Sequence, residues 1–237
     1  MDSITKVVVE QFAQQGQIVF DWYERIRTLR VNELVSNKEK AKSVAVFCAD
    51  MINGFCVSGA LASPRIGAIS GRVANLFSKL HNAGVRRFNL IQEWHSEDAR
   101  EFSSFGPHGI RDTAEAETIL ELLELSFSDK FNVFRKNSLT PAWSLTDNDL
   151  DGIHTAIICG NCTDLCVREA AMFLRLRANE FGKNLRVVVV ENCVQTFDLP
   201  KDVAESIGAK PHPGDMMHIL ALYEMSRNGI EVVKAVV

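Results

Sequence analysis

The chain has 237 residues, of which 46% are hydrophobic and 24% charged, with a formal net charge of −4. That length supports one sizeable core, and the mildly acidic balance with no basic stripe argues against a nucleic-acid partner. No run is apolar enough to cross a bilayer and the first twenty residues lack a secretory apolar stretch, so the expectation is a cytoplasmic protein without a membrane partner.

Residues 1–42 read as a helical N-terminal extension, with Ile18, Trp22, Ile26 and Leu29 on one face. A docked helix or one that builds a homo-oligomer fits that pattern, and residues 43–237 follow as a single domain. Apolar, β-branched segments then recur as VAVFCAD ending at Asp50, RFNLIQEW ending at Trp94, NVFRK ending at Lys136, HTAIICG ending at Gly160, RVVVVENC ending at Cys193, and IEVVKAVV at the C-terminus. Between them the periodicity predicts helices over 64–83, 114–125, 163–181 and 213–227, with shorter ones near 145–150 and 200–207. Strands alternating with helices give an α/β fold: a doubly wound, mostly parallel six-stranded sheet with helices on both faces. In such sheets ligands bind outside the carboxyl ends of the strands, where strand order reverses.

Those strand ends carry Asp50, then Glu93 and His95, then Lys136, then the turn from Gly160 to Cys166. Cys166 follows a good N-cap, Thr163 or Asp164, and starts an apolar helix face. A thiol there feels the positive end of the helix dipole, which favours thiolate, and the same turn offers N–H groups for an oxyanion. The alternative for any free cysteine is a small buried hydrophobe, and Cys159 and Cys193, inside strands, are read that way. Six cysteines, three of them within residues 159–166, do not form a secreted disulfide pattern. Cys159 and Cys162 spell CxxC, but a strand-buried first cysteine and the lack of a second pair disfavour a redox or zinc-finger reading.

A carboxylate ending a buried strand is costly unless paired or used. Asp50 and Lys136 alone read as a structural ion pair; with Cys166 they form a set in which a carboxylate shuttles a proton, an ammonium stabilises charge and a thiolate attacks. Glu93, His95 and His108 are the metal candidates, supplying carboxylate and imidazole ligands to a divalent ion. His81, His154, His212 and His218 read as structural or surface residues. Phe55, Trp94 and Trp143 are the aromatic residues nearest the motifs and favour a flat substrate ring.

DMINGFC, FRKNS, GNCTDLCV, NCVQTFDLP and HPGDMMHILALYEM resemble the motifs of the isochorismatase-like cysteine hydrolases, and within them the plant-type nicotinamidases, over residues 43–237. The resemblance implies Asp50 as catalytic acid/base, Lys136 and Cys166 as its partners, and Phe55 in the substrate pocket. It further implies a cis Asn161–Cys162 peptide, with the N–H groups of Cys162 and Cys166 as the oxyanion hole. The implied substrate is a small amide, nicotinamide first, and the implied cofactor a divalent metal, zinc. The sequence departs from that pattern at Glu93, where the family usually has Asp, and at Gly109, where a Cys often follows the histidine. Rival readings are hydrolysis of another amide, a carbamoyl compound or isochorismate, and an idle binding or regulatory homologue.

Overall fold

Successive strand residues face opposite ways, and in the computed structural model, which describes residues 3–237, the two sets are buried on opposite sides of one sheet. Its strands are β1 (Val44–Ala49), β2 (Arg87–Glu93), β3 (Asn132–Lys136), β4 (Thr155–Asn161), β5 (Arg186–Gln195) and β6 (Glu231–Val233). Every pairing is parallel and the order is β3-β2-β1-β4-β5-β6. Strand order therefore reverses between β1 and β4, as expected for a doubly wound sheet.

The long helices are α1 (Ser3–Tyr23), α2 (Ser70–Asn82), α3 (Arg168–Glu180) and α4 (Gly214–Arg227). Val46, Cys48, Leu90 and Ile157 pack with Val73 and Phe77 of α2. Ala45, Phe47, Ile91 and Ile158 pack on the other face with Ala171 and Leu174 of α3 and Leu222 of α4. Continuous burial along β1 is what a strand covered on both faces requires.

The structure departs from the periodicity in two places. The helix expected over 114–125 is broken into the turns Ala114–Ala116 and Leu120–Leu123. The backbone between them is used instead to brace the segment after β1: Asn53 donates to Glu117 and Ile119 to Met51. At the N-terminus α1 ends at Tyr23, so Ile26 and Leu29 lie beyond it and Ile18 is exposed. Leu29 and Val31 donate their N–H groups to Ala235 and Val237, so pairing with the C-terminal strand overrides helical spacing. Leu29, Leu34, Val35 and Ala41 are buried in the same core as β1. Among the described residues no helix is long and apolar enough to cross a membrane.

Candidate active site

The site lies where β1 and β4 end. Gly160 on β4 has φ +106°, and a Cβ there would sit 2.0 Å from the Ala49 carbonyl oxygen, so only glycine permits this approach of the two strands. The next peptide, Asn161–Cys162, is cis, as the resemblance implied. The Asn161 amide donates to the Asp50 carbonyl at 2.6 Å. Asp50 itself has φ +50°, a left-handed backbone that costs about 1–3 kcal/mol outside glycine. It is held there by its N–H to Ile91 O (2.8 Å) and by the Glu93 N–H donating to its Oδ1 (2.7 Å).

Glu93 and Lys136 are register partners on β2 and β3, so their side chains leave the sheet on the same face. Lys136 Nζ lies 2.9 Å from Asp50 Oδ2, 3.1 Å from Glu93 Oε1 and 3.5 Å from Cys166 Sγ. The Cys166 thiol is 3.6 Å from Glu93 Oε1. All four side chains are buried. The three residues read from separate strand ends thus meet around one ammonium, and Glu93 joins them.

Burial and the neighbouring charges divide the protonation states. Burial raises the Asp50 carboxyl to about 6, with Lys136 pulling it down and Glu93 pushing it up. Burial also raises Glu93, but Lys136 and the hydrogen bonds of His108 and His95 outweigh it and leave this carboxyl well below its usual range. Lys136 is opposed by burial, yet Asp50, Cys166 and Glu93 hold it well above the ordinary lysine value. The Cys166 thiol runs against the sequence expectation: burial, with two carboxylates beside it, raises it well above 9 despite Lys136. The helix dipole is the weaker influence here, partly because the turn Thr163–Val167 is wound wider than an α-helix and Leu165 leaves helical φ/ψ. Cys166 therefore rests as a thiol, and any reaction through its sulfur requires a base to take the proton.

Glu93 also faces a second cluster. His108 Nε2 lies 3.0 Å and His95 Nε2 3.4 Å from Glu93 Oε2, while Glu93 Oε2 and His95 Nε2 have no hydrogen-bond partner despite being buried. His95 Nδ1 is 2.9 Å from Asn137 Oδ1 and His108 Nδ1 is 2.7 Å from the Gly106 carbonyl. Both Nδ1 atoms therefore carry a proton and both Nε2 atoms face the carboxylate. Burial opposes a charge on His108, but Glu93 outweighs it and holds that ring above the ordinary histidine value. A bound metal would take the place of the Nε2 proton, leaving the tautomer that outer-shell acceptors select in metal-ligating histidines. Glu101 joins the same group, and its buried Oε1 is likewise unpartnered. Orphaned nitrogen and oxygen lone pairs converging on one point fit a divalent metal with mixed imidazole and carboxylate ligands. Glu101 escaped the sequence reading because it sits among Glu97, Asp98 and Arg100 in a loop with no period to single it out.

A pocket opens over Cys166, lined by Glu93, Glu101 and His108 and by apolar walls that include Phe55, Leu61, Phe105 and Phe197. Trp94 and Trp143 do not line it. Trp94 follows Glu93 with opposite strand parity and stacks under the Arg135 guanidinium at 4.0 Å. Trp143, in the loop after β3, is 87% exposed. Phe105 and Phe197 supply the aromatic walls in their place. His212 and His218 both reach the turn Thr163–Val167, His212 Nε2 lying 2.8 Å from Asp164 Oδ2 and His218 Nδ1 2.8 Å from Thr163 Oγ1.

Residues 44–211 match the Isochorismatase domain family. Nicotinamidase 1 of Arabidopsis thaliana is 28% identical over 221 residues, which cover 86% of this chain and 89% of that protein. Among solved structures, N-carbamoylsarcosine amidase from Thermoplasma acidophilum superposes with a TM-score of 0.61 at 21% identity, covering 81% of this chain and 95% of that one. A pyrazinamidase of Pyrococcus horikoshii in complex with zinc superposes with a TM-score of 0.58 at 22% identity, covering 81% and 98%. At such identities the solved structures speak to the fold, which they share with this chain.

Proposed function

The chain belongs to the isochorismatase family, and from that premise we propose that it is a cysteine-dependent amidohydrolase that converts nicotinamide and water to nicotinate and ammonia. The observation that carries this is the buried Lys136 ammonium within reach of Asp50, Glu93 and the Cys166 thiol at the floor of an apolar cavity. The 28% identity to a nicotinamidase supports the choice of amide.

Of the two carboxylates, Asp50 suits the base: its value of about 6 lies near neutrality, whereas Glu93 is held ionised. Asp50 takes the thiol proton, and the Cys166 sulfur attacks the amide carbonyl carbon. The N–H groups of Cys162 and Cys166 hold the resulting oxyanion. As the C–N bond breaks, Asp50 returns the proton to nitrogen and ammonia leaves a thioester. Water, deprotonated by Asp50, then cleaves the C–S bond and the thiol regains its proton. Lys136 stays charged throughout and keeps the two carboxylates compatible. Glu93, His95 and His108, with Glu101, would hold a divalent metal, zinc by donor set, which supplies a Lewis acid to anchor the pyridine nitrogen.

The cavity argues against isochorismate and carbamoyl acids. No Lys or Arg is among its lining residues, so a substrate carboxylate held away from the metal ligands would enter an apolar space with no cation to pair with. Ammonia release should be measured from nicotinamide, pyrazinamide and an aliphatic amide, alongside isochorismate turnover. Turnover of nicotinamide that disappears in Cys166→Ala while the fold is retained is expected. Full activity in that variant, or a preference for isochorismate, would overturn the reading.

A further inference from the structure

The reaction outlined above leaves unused a polar chain that starts half-buried at the N-terminal helix and ends buried on the nucleophile turn. Tyr23, the last residue of α1, donates its hydroxyl to Glu191 Oε1 on β5. Lys234 Nζ lies 3.2 Å from the same Glu191 oxygen and 3.2 Å from the Tyr23 hydroxyl. His218 on α4 presents Nε2 at 3.6 Å from Glu191 Oε1, and its Nδ1 lies 2.8 Å from Thr163 Oγ1. Glu191, His218 and Thr163 are 7%, 5% and 0% exposed. Thr163 directly follows Cys162, whose N–H is assigned to the oxyanion, and precedes Cys166 by three residues.

Each link has a definite polarity. Burial pushes Glu191 up, but His218, Tyr23 and Lys234 outweigh it and leave the carboxyl below its ordinary range. A carboxylate facing Nε2 favours the ring proton on that nitrogen, so Nδ1 is the acceptor and the Thr163 hydroxyl donates to it. Thr163 then has one orientation, and with it the backbone between the oxyanion N–H and the sulfur. The other side of the turn is held similarly: Asp164 pairs with His212, whose ring stacks on Phe197 at 3.8 Å in the cavity wall. The carboxylate at the centre of the chain is itself anchored from α1, which docks on α4 through Trp22 against Tyr223 at 5.2 Å.

We propose that Tyr23, Glu191, His218 and Thr163 are positioning residues for the nucleophile turn, so that the N-terminal helix sets the geometry of the site through this chain. The proposal rests on Cys166 being the nucleophile. Sub-ångström placement of the reacting sulfur and oxyanion donors decides turnover rather than binding, so the effect belongs in kcat.

The test is a double-mutant cycle in the full chain. Thr163→Val keeps the shape and removes the donor; Thr163→Ser keeps the donor; Tyr23→Phe removes the anchor at the far end. With nicotinamide, Thr163→Val is expected to lower kcat by roughly 10- to 100-fold with KM within about twofold, and Thr163→Ser to restore most of it. Tyr23→Phe is expected to lower kcat severalfold, and the double variant to be no worse than Thr163→Val, because both act through one chain. The iodoacetamide alkylation rate of Cys166 at pH 8, located by mass spectrometry, should change in the same order. That readout needs no substrate, so it tests the positioning even if nicotinamide is not hydrolysed and the amidase reading fails. Thermal melting identifies the folded variants. Unchanged kcat and alkylation rate in folded Thr163→Val, or losses that multiply independently in the double variant, would overturn the proposal. If Thr163→Val does not fold, Tyr23→Phe with wild-type kcat and alkylation rate overturns it alone.

Discussion

Replacing Lys136 with Met removes the ammonium that faces Asp50, Glu93 and Cys166 while keeping an unbranched apolar stem that reaches about as far as the lysine Cε. At an effective dielectric near 20, a charge 2.9 Å from Asp50 and 3.1 Å from Glu93 attracts them by about 6 and 5 kcal/mol before relaxation. Two buried carboxylates left without it cannot both stay ionised, and reprotonation of one limits the loss of stability to about 3–5 kcal/mol. Asp50 is the one that yields, since it already titrates at about 6 and Glu93 keeps its two histidines. Loss of a cation this close raises a carboxyl by about 1–3 pH units. Asp50 works as a base only when ionised, so activity is lost as pH falls through its value, and raising that value moves the acid limb of the rate profile upward. Nicotinamide turnover followed from pH 5 to 9 should therefore fall about 2- to 90-fold at pH 7, the range that a rise of about 1–3 pH units from about 6 gives, and recover toward pH 9, with urea unfolding reporting the stability loss. An acid limb that stays near pH 6 in a folded Lys136→Met protein would refute the argument that Lys136 tunes Asp50.

In the wild-type enzyme kcat/KM for nicotinamide should rise with one proton's slope to a plateau above about pH 6; a profile flat down to pH 4.5 would remove Asp50 as the base. Glu101→Gln should lower zinc affinity at least tenfold, read from metal content after dialysis against a weak chelator, and unchanged content would take Glu101 out of the ligand set. Ile4, Val8, Phe12 and Ile18 on α1 and Met216 on α4 are exposed apolar side chains, the kind of surface an interface covers. A second copy of the chain is its expected occupant: light scattering at micromolar concentration should give twice the chain mass and Phe12→Glu the single mass, while a monomeric wild type would refute the homo-oligomer.

The strands and their ends were legible because a doubly covered parallel strand must be apolar until its last residue, so a polar group there stands out. That is why Asp50, Glu93 and Lys136 could be taken from separate segments and placed on one edge. Parity along β2 also bears on Trp94: a residue adjacent to Glu93 points the other way, and proximity in sequence was the wrong guide. Phe105, Phe197 and Glu101 come from irregular segments, where no period tells which side chain turns inward. The thiol was misread because the helix dipole is visible in sequence, whereas burial between two carboxylates is a property of the assembled site. His212 and His218, read as structural or surface residues, belong to the nucleophile turn through Asp164 and Thr163, contacts that join residues about fifty positions apart.

Glu93 and Gly109, the two positions where the sequence is expected to depart from the pattern it resembles, are neighbours in space. A Cβ at Gly109 would stand 3.3 Å from Glu93 Cβ and 3.5 Å from its Oε2, and the Gly109 backbone has φ +51°, where a side chain is strained. His95 donates its backbone N–H to the Gly109 carbonyl, so the same residue also fixes the strand that carries the histidine. A longer acid needs the room that the missing Cβ leaves, and its extra methylene lets one carboxylate touch Lys136 and Cys166 through Oε1 while facing His95 and His108 through Oε2. The two residues thus fit one another, and Glu93 joins the candidate ligand cluster and Cys166 through a single side chain. A return to the family pattern should succeed only in concert: Glu93→Asp alone withdraws Oε1 from Lys136, and Gly109→Cys alone presses on Glu93.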